Sequence, residues 1–242
     1  MSEIGNTPSR RTLAFARWAM LWFAVCTGFS MLAYPGGTSR DHSTRGYSVF
    51  ENFGSDLGRT VALNGEPNRL GAAIFLSGLG ILILAVLACL PAFFAVYSIS
   101  PSQRRWARGA AAAGCLSLLA FLGVALMPVD LFPSLHNLSA LFGWLGILVA
   151  ALLFALVTAR DARFSGRLAA GWLGLAVVVS AYLGIDCLGI VPLNSDTNLL
   201  ILVTAQKLAG VAGLLTLLFE THAAEHALGA SQSHPADANA VS

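Results

Sequence analysis

Six long stretches of this chain are almost free of charge, which restricts its folding options more than any motif does. They are Leu13–Ala33, Leu70–Val96, Gly109–Met127, Leu135–Val157, Leu168–Gly189 and Asn198–Phe219. Each offers the ~20 predominantly apolar residues that a helix needs to cross a hydrocarbon core ~30 Å thick. Inside lipid every backbone polar group must be satisfied internally, so only helices and closed barrels span a bilayer. Barrel strands alternate polar with apolar, whereas Ile81-Leu82-Ile83-Leu84-Ala85-Val86-Leu87 is apolar on all sides. The chain is therefore predicted to be all-α, an integral membrane bundle of six transmembrane helices. Only 11% of its residues are charged, against roughly 25% in a soluble domain.

The first run follows Ser9-Arg10-Arg11-Thr12-Leu13, an arrangement also found in cleavable leaders. It is longer than a leader's apolar region needs, and Met31-Leu32-Ala33 lacks a small residue three positions before a cut, so it is expected to be a span. Basic residues in short loops stay on the cytoplasmic side. Arg10, Arg11 and Arg17 mark the first span, Arg104, Arg105 and Arg108 the second connection, and Arg160, Arg163 and Arg167 the fourth. Both termini are thus expected in the cytoplasm, with the protein in the plasma (inner) membrane. The first connection, about 34–69, is the one long outward loop. Its Arg40, Arg45, Arg59 and Arg69 are matched by Asp41, Glu51, Asp56 and Glu66. The predicted domains are a six-helix transmembrane unit over 1–219 and a mobile cytoplasmic tail over 220–242, poor in residues to bury.

A net charge of +2, spread in short clusters, implies no nucleic-acid partner. Cys26, Cys89, Cys115 and Cys187 lie far apart in or beside apolar runs and read as small buried hydrophobes. His222 and His226 have helical i, i+4 spacing suited to a metal, but no further fixed ligand accompanies them. No metal or cofactor is expected.

Ionisable residues within a span are costly, so each is a candidate for function. Lys207 is the sole lysine. It lies nine residues after Asn198, about 13 Å along the sixth helix. Side chains tilt toward a helix N-terminus, so its ammonium is expected to reach outward. Gln206 precedes it, and Gly210 and Gly213 suggest a face packed inside the bundle. Asp186, Asp130 and Asp56 are the acids expected on that outer side, and a Lys207–Asp186 pair is the simplest partnership. His136 opens the fourth helix beside the turn Pro128–Pro133, with Ser134 as its expected N-cap. There it either moves protons or forms a local hydrogen bond. In the outer loop, Ser55 or Asp56 is expected to cap a short helix, Asp56 to pair with Arg59, and the aromatic residues to anchor the loop at headgroup level. Asn194-Ser195-Asp196 reads as capping of the sixth helix.

These segments resemble the prokaryotic six-span membrane family catalogued as domain of unknown function 998, which is similar in layout to the eukaryotic Frag1/DRAM-type proteins. The resemblance rests on Tyr47-Ser48 with Asn52 and Ser55-Asp56-Leu57-Gly58, on Met127-Pro128-Val129-Asp130 followed by His136, and on the spacing of the six spans. Where members continue Asn-x-Ile-Ser-Asp, this chain has Phe53-Gly54. The resemblance implies Asn52, Ser55, Asp56, Asp130 and His136 as motif positions and carries no settled activity.

Three function classes follow. One is an outward-facing polar pocket that binds, senses or transports a lipid or other amphipathic ligand, using Asn52, Ser55, Asp56, Asp130, His136, Asp186, Gln206 and Lys207. A second is an outer-leaflet lipid hydrolase or transferase, for which no Gly-x-Ser-x-Gly, His-Glu-x-x-His or Walker sequence is present. The third is a structural or assembly role built on glycine faces such as Gly71, Gly78 and Gly80. The first is the reading adopted, with the lipid bilayer as the protein's surroundings.

Overall fold

The computed structural model describes residues 6–97, 100–161, 166–187 and 196–233. Arg163, the Asn194-Ser195 pair and residues 234–242 lie outside this range, and so do the expectations placed on them. Six helices follow one another: α1 (Asn6–Ala33), α2 (Arg69–Tyr97), α3 (Pro101–Leu126), α4 (Pro133–Ala159), α5 (Gly166–Cys187) and α6 (Asp196–Ser233). All six are long and apolar enough to cross a membrane. The first loop adds a short 3-10 turn, Gly54–Gly58, and two isolated bridges, Gly36 with Arg45 and Val61 with Pro67.

Each helix packs against its neighbour in the chain, and α6 returns to α1, so the bundle closes as a ring. Short connections favour antiparallel neighbours, as expected for successive spans. The closing contact is polar: Arg17 on α1 forms an ion pair with Glu225 on α6, and its Nη1 donates to the Thr221 carbonyl at 3.3 Å. Aromatic rings fill the ring's interior. Phe154 of α4 stacks on Trp172 of α5 at 4.9 Å and tilts against Tyr97 of α2 at 5.7 Å. Toward the loop end, Trp144 of α4 meets Phe121 of α3 at 5.3 Å and Tyr182 of α5 at 5.2 Å, both edge to face. On α1, Trp18, Leu21, Trp22, Val25, Phe29 and Leu32 form an exposed stripe at helical spacing, while Leu13, Ala16 and Met20 are buried on the opposite side. An apolar outer face around a packed interior is the arrangement a bilayer demands.

Three expectations need correction here. The N-cap of α4 is Phe132, and Ser134 is already inside the helix. Pro133 takes the first helical position, where its fixed φ fits and its missing N–H costs nothing. The expected tail also starts too early: α6 runs through residue 220 to Ser233, and Glu220, Thr221 and Ala224 are fully buried. Finally, only some glycines mark close approach. A Cβ on Gly78 would stand 2.6 Å from the Cys26 Cβ, holding α1 against α2, whereas Gly80 and Gly210 have nothing within 4 Å. Gly213 only touches Leu175.

Candidate functional site

The loop between α1 and α2 is a small folded body, seated at the bundle end opposite the start of α1. Its apolar centre is Tyr34, Leu57 and Ala62 against Phe75 of α2. Tyr34 and Tyr47 meet edge to face at 5.7 Å, and the Tyr34 hydroxyl accepts from the Leu63 amide at 3.1 Å. Gly37 is required by its backbone: its φ is +86°, and a Cβ there would stand 2.2 Å from the Asn64 amide nitrogen.

Asn52 organises the polar half of the loop and is fully buried (0% exposed). Its Oδ1 accepts from Ser48 N at 2.9 Å, and its Nδ2 donates to the Gly37 carbonyl at 2.9 Å and to Asp56 Oδ2 at 3.3 Å. Asp56 Oδ2 also accepts from Phe53 N at 2.8 Å, so Asp56 caps the 3-10 turn from its third position. Arg59 lies 3.7 Å from Asp56 Oδ1, the expected i, i+3 pair. Burial pushes the Asp56 carboxyl above its ordinary range, against the pull of Asn52, Phe53, Arg59 and Lys207. The side chain of Ser55 forms no hydrogen bond among the described residues.

Two consecutive residues of α6 hold this body from below. Gln206 Oε1 accepts from Gly54 N at 2.9 Å, and Lys207 Nζ donates to the Asn52 carbonyl at 2.5 Å. The same carbonyl accepts from the Tyr47 hydroxyl at 3.1 Å, and the ammonium lies 5.4 Å from the centre of the Tyr47 ring. Lys207 is half-buried. Among the described residues no carboxylate lies within 4.0 Å of it. Asp56, the acid whose field it feels, is occupied by its own turn and by Arg59.

The expected Lys207–Asp186 pair is thus replaced. Asp186 accepts from the Tyr182 hydroxyl at 3.4 Å one turn back on α5, and that hydroxyl also meets the Gln206 side chain. A long flexible ammonium finds a loop carbonyl beside it before a carboxylate on the neighbouring helix, and the carbonyl costs less desolvation.

Asp130 and His136 serve other contacts. Asp130 accepts from Thr60 Oγ1 at 2.5 Å and from the amides of Thr60 and Val61 at 3.1 and 3.0 Å, which fastens the loop to the turn between α3 and α4. Burial raises its carboxyl, but these hydrogen bonds outweigh burial and hold it below the ordinary range. His136 is buried, and its Nδ1 lies 2.7 Å from the Met127 carbonyl, to which it donates at the C-terminus of α3. The eight residues expected to form one site therefore divide. Asn52, Asp56, Gln206 and Lys207 gather at the loop's seat, Asp186 bonds Tyr182 on its own helix without reaching Lys207, Asp130 fastens the loop elsewhere, His136 caps a helix end, and Ser55 makes no side-chain hydrogen bond among the described residues.

A second polar centre escaped the sequence reading. Glu220 of α6 is fully buried at the other end of the bundle, with Oε2 accepting from the Tyr97 hydroxyl at 3.0 Å. The Trp172 indole N–H lies beside the other oxygen without the geometry of a full hydrogen bond. The available signal was an acid placed directly after an apolar run, which reads equally as an interfacial residue. Gly37, central to the loop, gave no signal beyond its residue type, and Tyr47 was read as part of a motif without its bond to the Asn52 carbonyl.

No family model matches the chain, and no curated protein and no solved structure matches it.

Proposed function

We propose that this multi-pass membrane protein binds an anionic amphiphile, a lipid or fatty-acid headgroup, at the junction of the outer loop with α6, where Lys207 supplies the positive charge. One observation carries the reading: a half-buried ammonium whose hydrogen-bond acceptor is a neutral carbonyl, with no carboxylate within 4.0 Å among the described residues. A cation sunk between apolar helices is expensive and is retained where it meets an anion. An ammonium offers three donors, and one is used on Asn52. In this proposal the arginine-rich ends of α3, α4 and α5 face the cytoplasm and the loop faces outward across the plasma (inner) membrane. Kinship with the six-span family named above belongs to the same proposal. The hydrolase alternative gains no support from the geometry, because Asp130, His136 and Asp186 are engaged at separate places.

Native mass spectrometry of the detergent-solubilised protein with phosphatidylglycerol and with phosphatidylcholine tests this. Wild type and Lys207→Arg should retain phosphatidylglycerol preferentially, and Lys207→Ala should lose that preference by about tenfold, the weight of one partly desolvated ion pair. Equal retention of both lipids by wild type, or an unchanged preference in Lys207→Ala, would overturn the proposal.

A further inference from the structure

The histidine pair set aside in the sequence acquires a geometry in the fold. His222 and His226 sit one turn apart on α6, both exposed, with their Nε2 atoms 3.2 Å apart and their ring centres 4.5 Å apart. Zinc–imidazole bonds are about 2.0–2.1 Å long, so two nitrogens at this separation subtend about 100° at a shared ion, close to the tetrahedral angle of about 109°. The helix backbone fixes this spacing in advance, so binding costs little ordering of the chain. Glu225 lies between the two in sequence, but its carboxylate is held by Arg17 of α1. It is thereby kept from the ion, and the remaining coordination positions stay open.

We propose that His222 and His226 form a two-imidazole chelate for a divalent transition metal of the zinc class, at the end of α6 remote from the outer loop. With two protein ligands the site is an open one, completed by water or by a donor from another molecule. The same ion spans one turn of α6 next to the Arg17–Glu225 contact, so loading the site stiffens the segment that closes the helix ring.

The test uses the full-length protein, free of any histidine tag, in detergent, with zinc chloride alone as the probe in isothermal titration. Wild type should bind zinc at one site per chain. His222→Ala and His226→Ala should each weaken that site at least tenfold, and the double variant should be no weaker than either single one. Both side chains are exposed, so the variants should melt like wild type in the absence of zinc, whereas zinc should raise the melting temperature of wild type alone. His42→Ala should bind zinc as wild type does. Absence of zinc binding by wild type, which leaves only an imidazole–imidazole hydrogen bond, or unchanged binding in His222→Ala, would overturn the proposal.

Discussion

Lys207 and Asn52 lie 155 residues apart in the chain, and the ammonium of one donates to the backbone carbonyl of the other at 2.5 Å. The contact is to backbone, so it depends on the position of the loop, which the buried Asn52 side chain itself helps to set through Ser48 and Gly37. Gln206 repeats the pattern on the Gly54 amide two residues further on. Together they make α6 the seat on which the loop between α1 and α2 rests.

Since Lys207 and Asp186 are not paired, their removal should act independently. Lys207→Ala should destabilise the solubilised protein by about 1–2 kcal/mol, the weight of a hydrogen bond from a charged donor. Asp186→Ala should add its own smaller loss to within about 0.5 kcal/mol in the double variant, as uncoupled sites do. Denaturation of the four proteins in a double-mutant cycle measures this. A coupling well above that margin would show the two side chains interacting. Lys207→Ala should also expose the loop to limited proteolysis within residues 34–68.

The anchoring of the loop by Asp130 should weaken in acid. Its folded pKa is below the ordinary carboxylate value of about 3.9, because Thr60 and Val61 donate to the charged form. The stabilisation it contributes is therefore complete above the ordinary value and is lost as the pH falls through the lowered one. Asp56, whose carboxyl is raised by burial, has the opposite sign: its contribution is greatest at low pH and declines as the pH rises through its raised value. Loop proteolysis in wild type should hold steady or slow between pH 6 and about 4, as Asp56 takes up its proton, and accelerate only below about pH 3.9, as Asp130 begins to protonate. In Asp130→Asn it should be faster at neutral pH, slow as Asp56 takes up its proton, and show no acceleration below about pH 3.9.

Glu220 should prove costly to truncate. Glu220→Ala removes the acceptor of the Tyr97 hydroxyl and leaves a void beside Trp172 in the packed interior, which should cost about 2–4 kcal/mol. Tyr97→Phe, which deletes the donor of the hydrogen bond to Glu220 and leaves the ring in place, should cost about 1 kcal/mol. Thermal unfolding in detergent or bicelles distinguishes the two. A loss below about 0.5 kcal/mol for Glu220→Ala would mean that the carboxyl is solvated and not enclosed.

The six helices were readable because a span is a property of local composition: about 20 apolar residues in a row suffice, whatever their neighbours are. Residue 220 shows where that reading ends. A glutamate following Phe219 looks like the edge of the membrane, and it becomes interior only because Tyr97 and Trp172 arrive from α2 and α5. Ser134 likewise looked like a cap, since the preference for serine is strong, yet Pro133 beside it claims the first helical position. In the loop, the Asp56–Arg59 pair was legible because it spans three residues of one turn.

The sequence by itself therefore determined the all-α class, the six apolar helices and the reach of Lys207 toward the N-terminal end of its own helix, since each depends on residues within a few turns of one another. Only the tertiary structure decided that the helices close into a ring through Arg17 and Glu225, that Lys207 grips a loop carbonyl in place of Asp186, and that Asp130 and His136 are used elsewhere. The physical reason is that charge narrows the choice among partners, whereas distance makes it, and distances between residues far apart in the chain are set by packing.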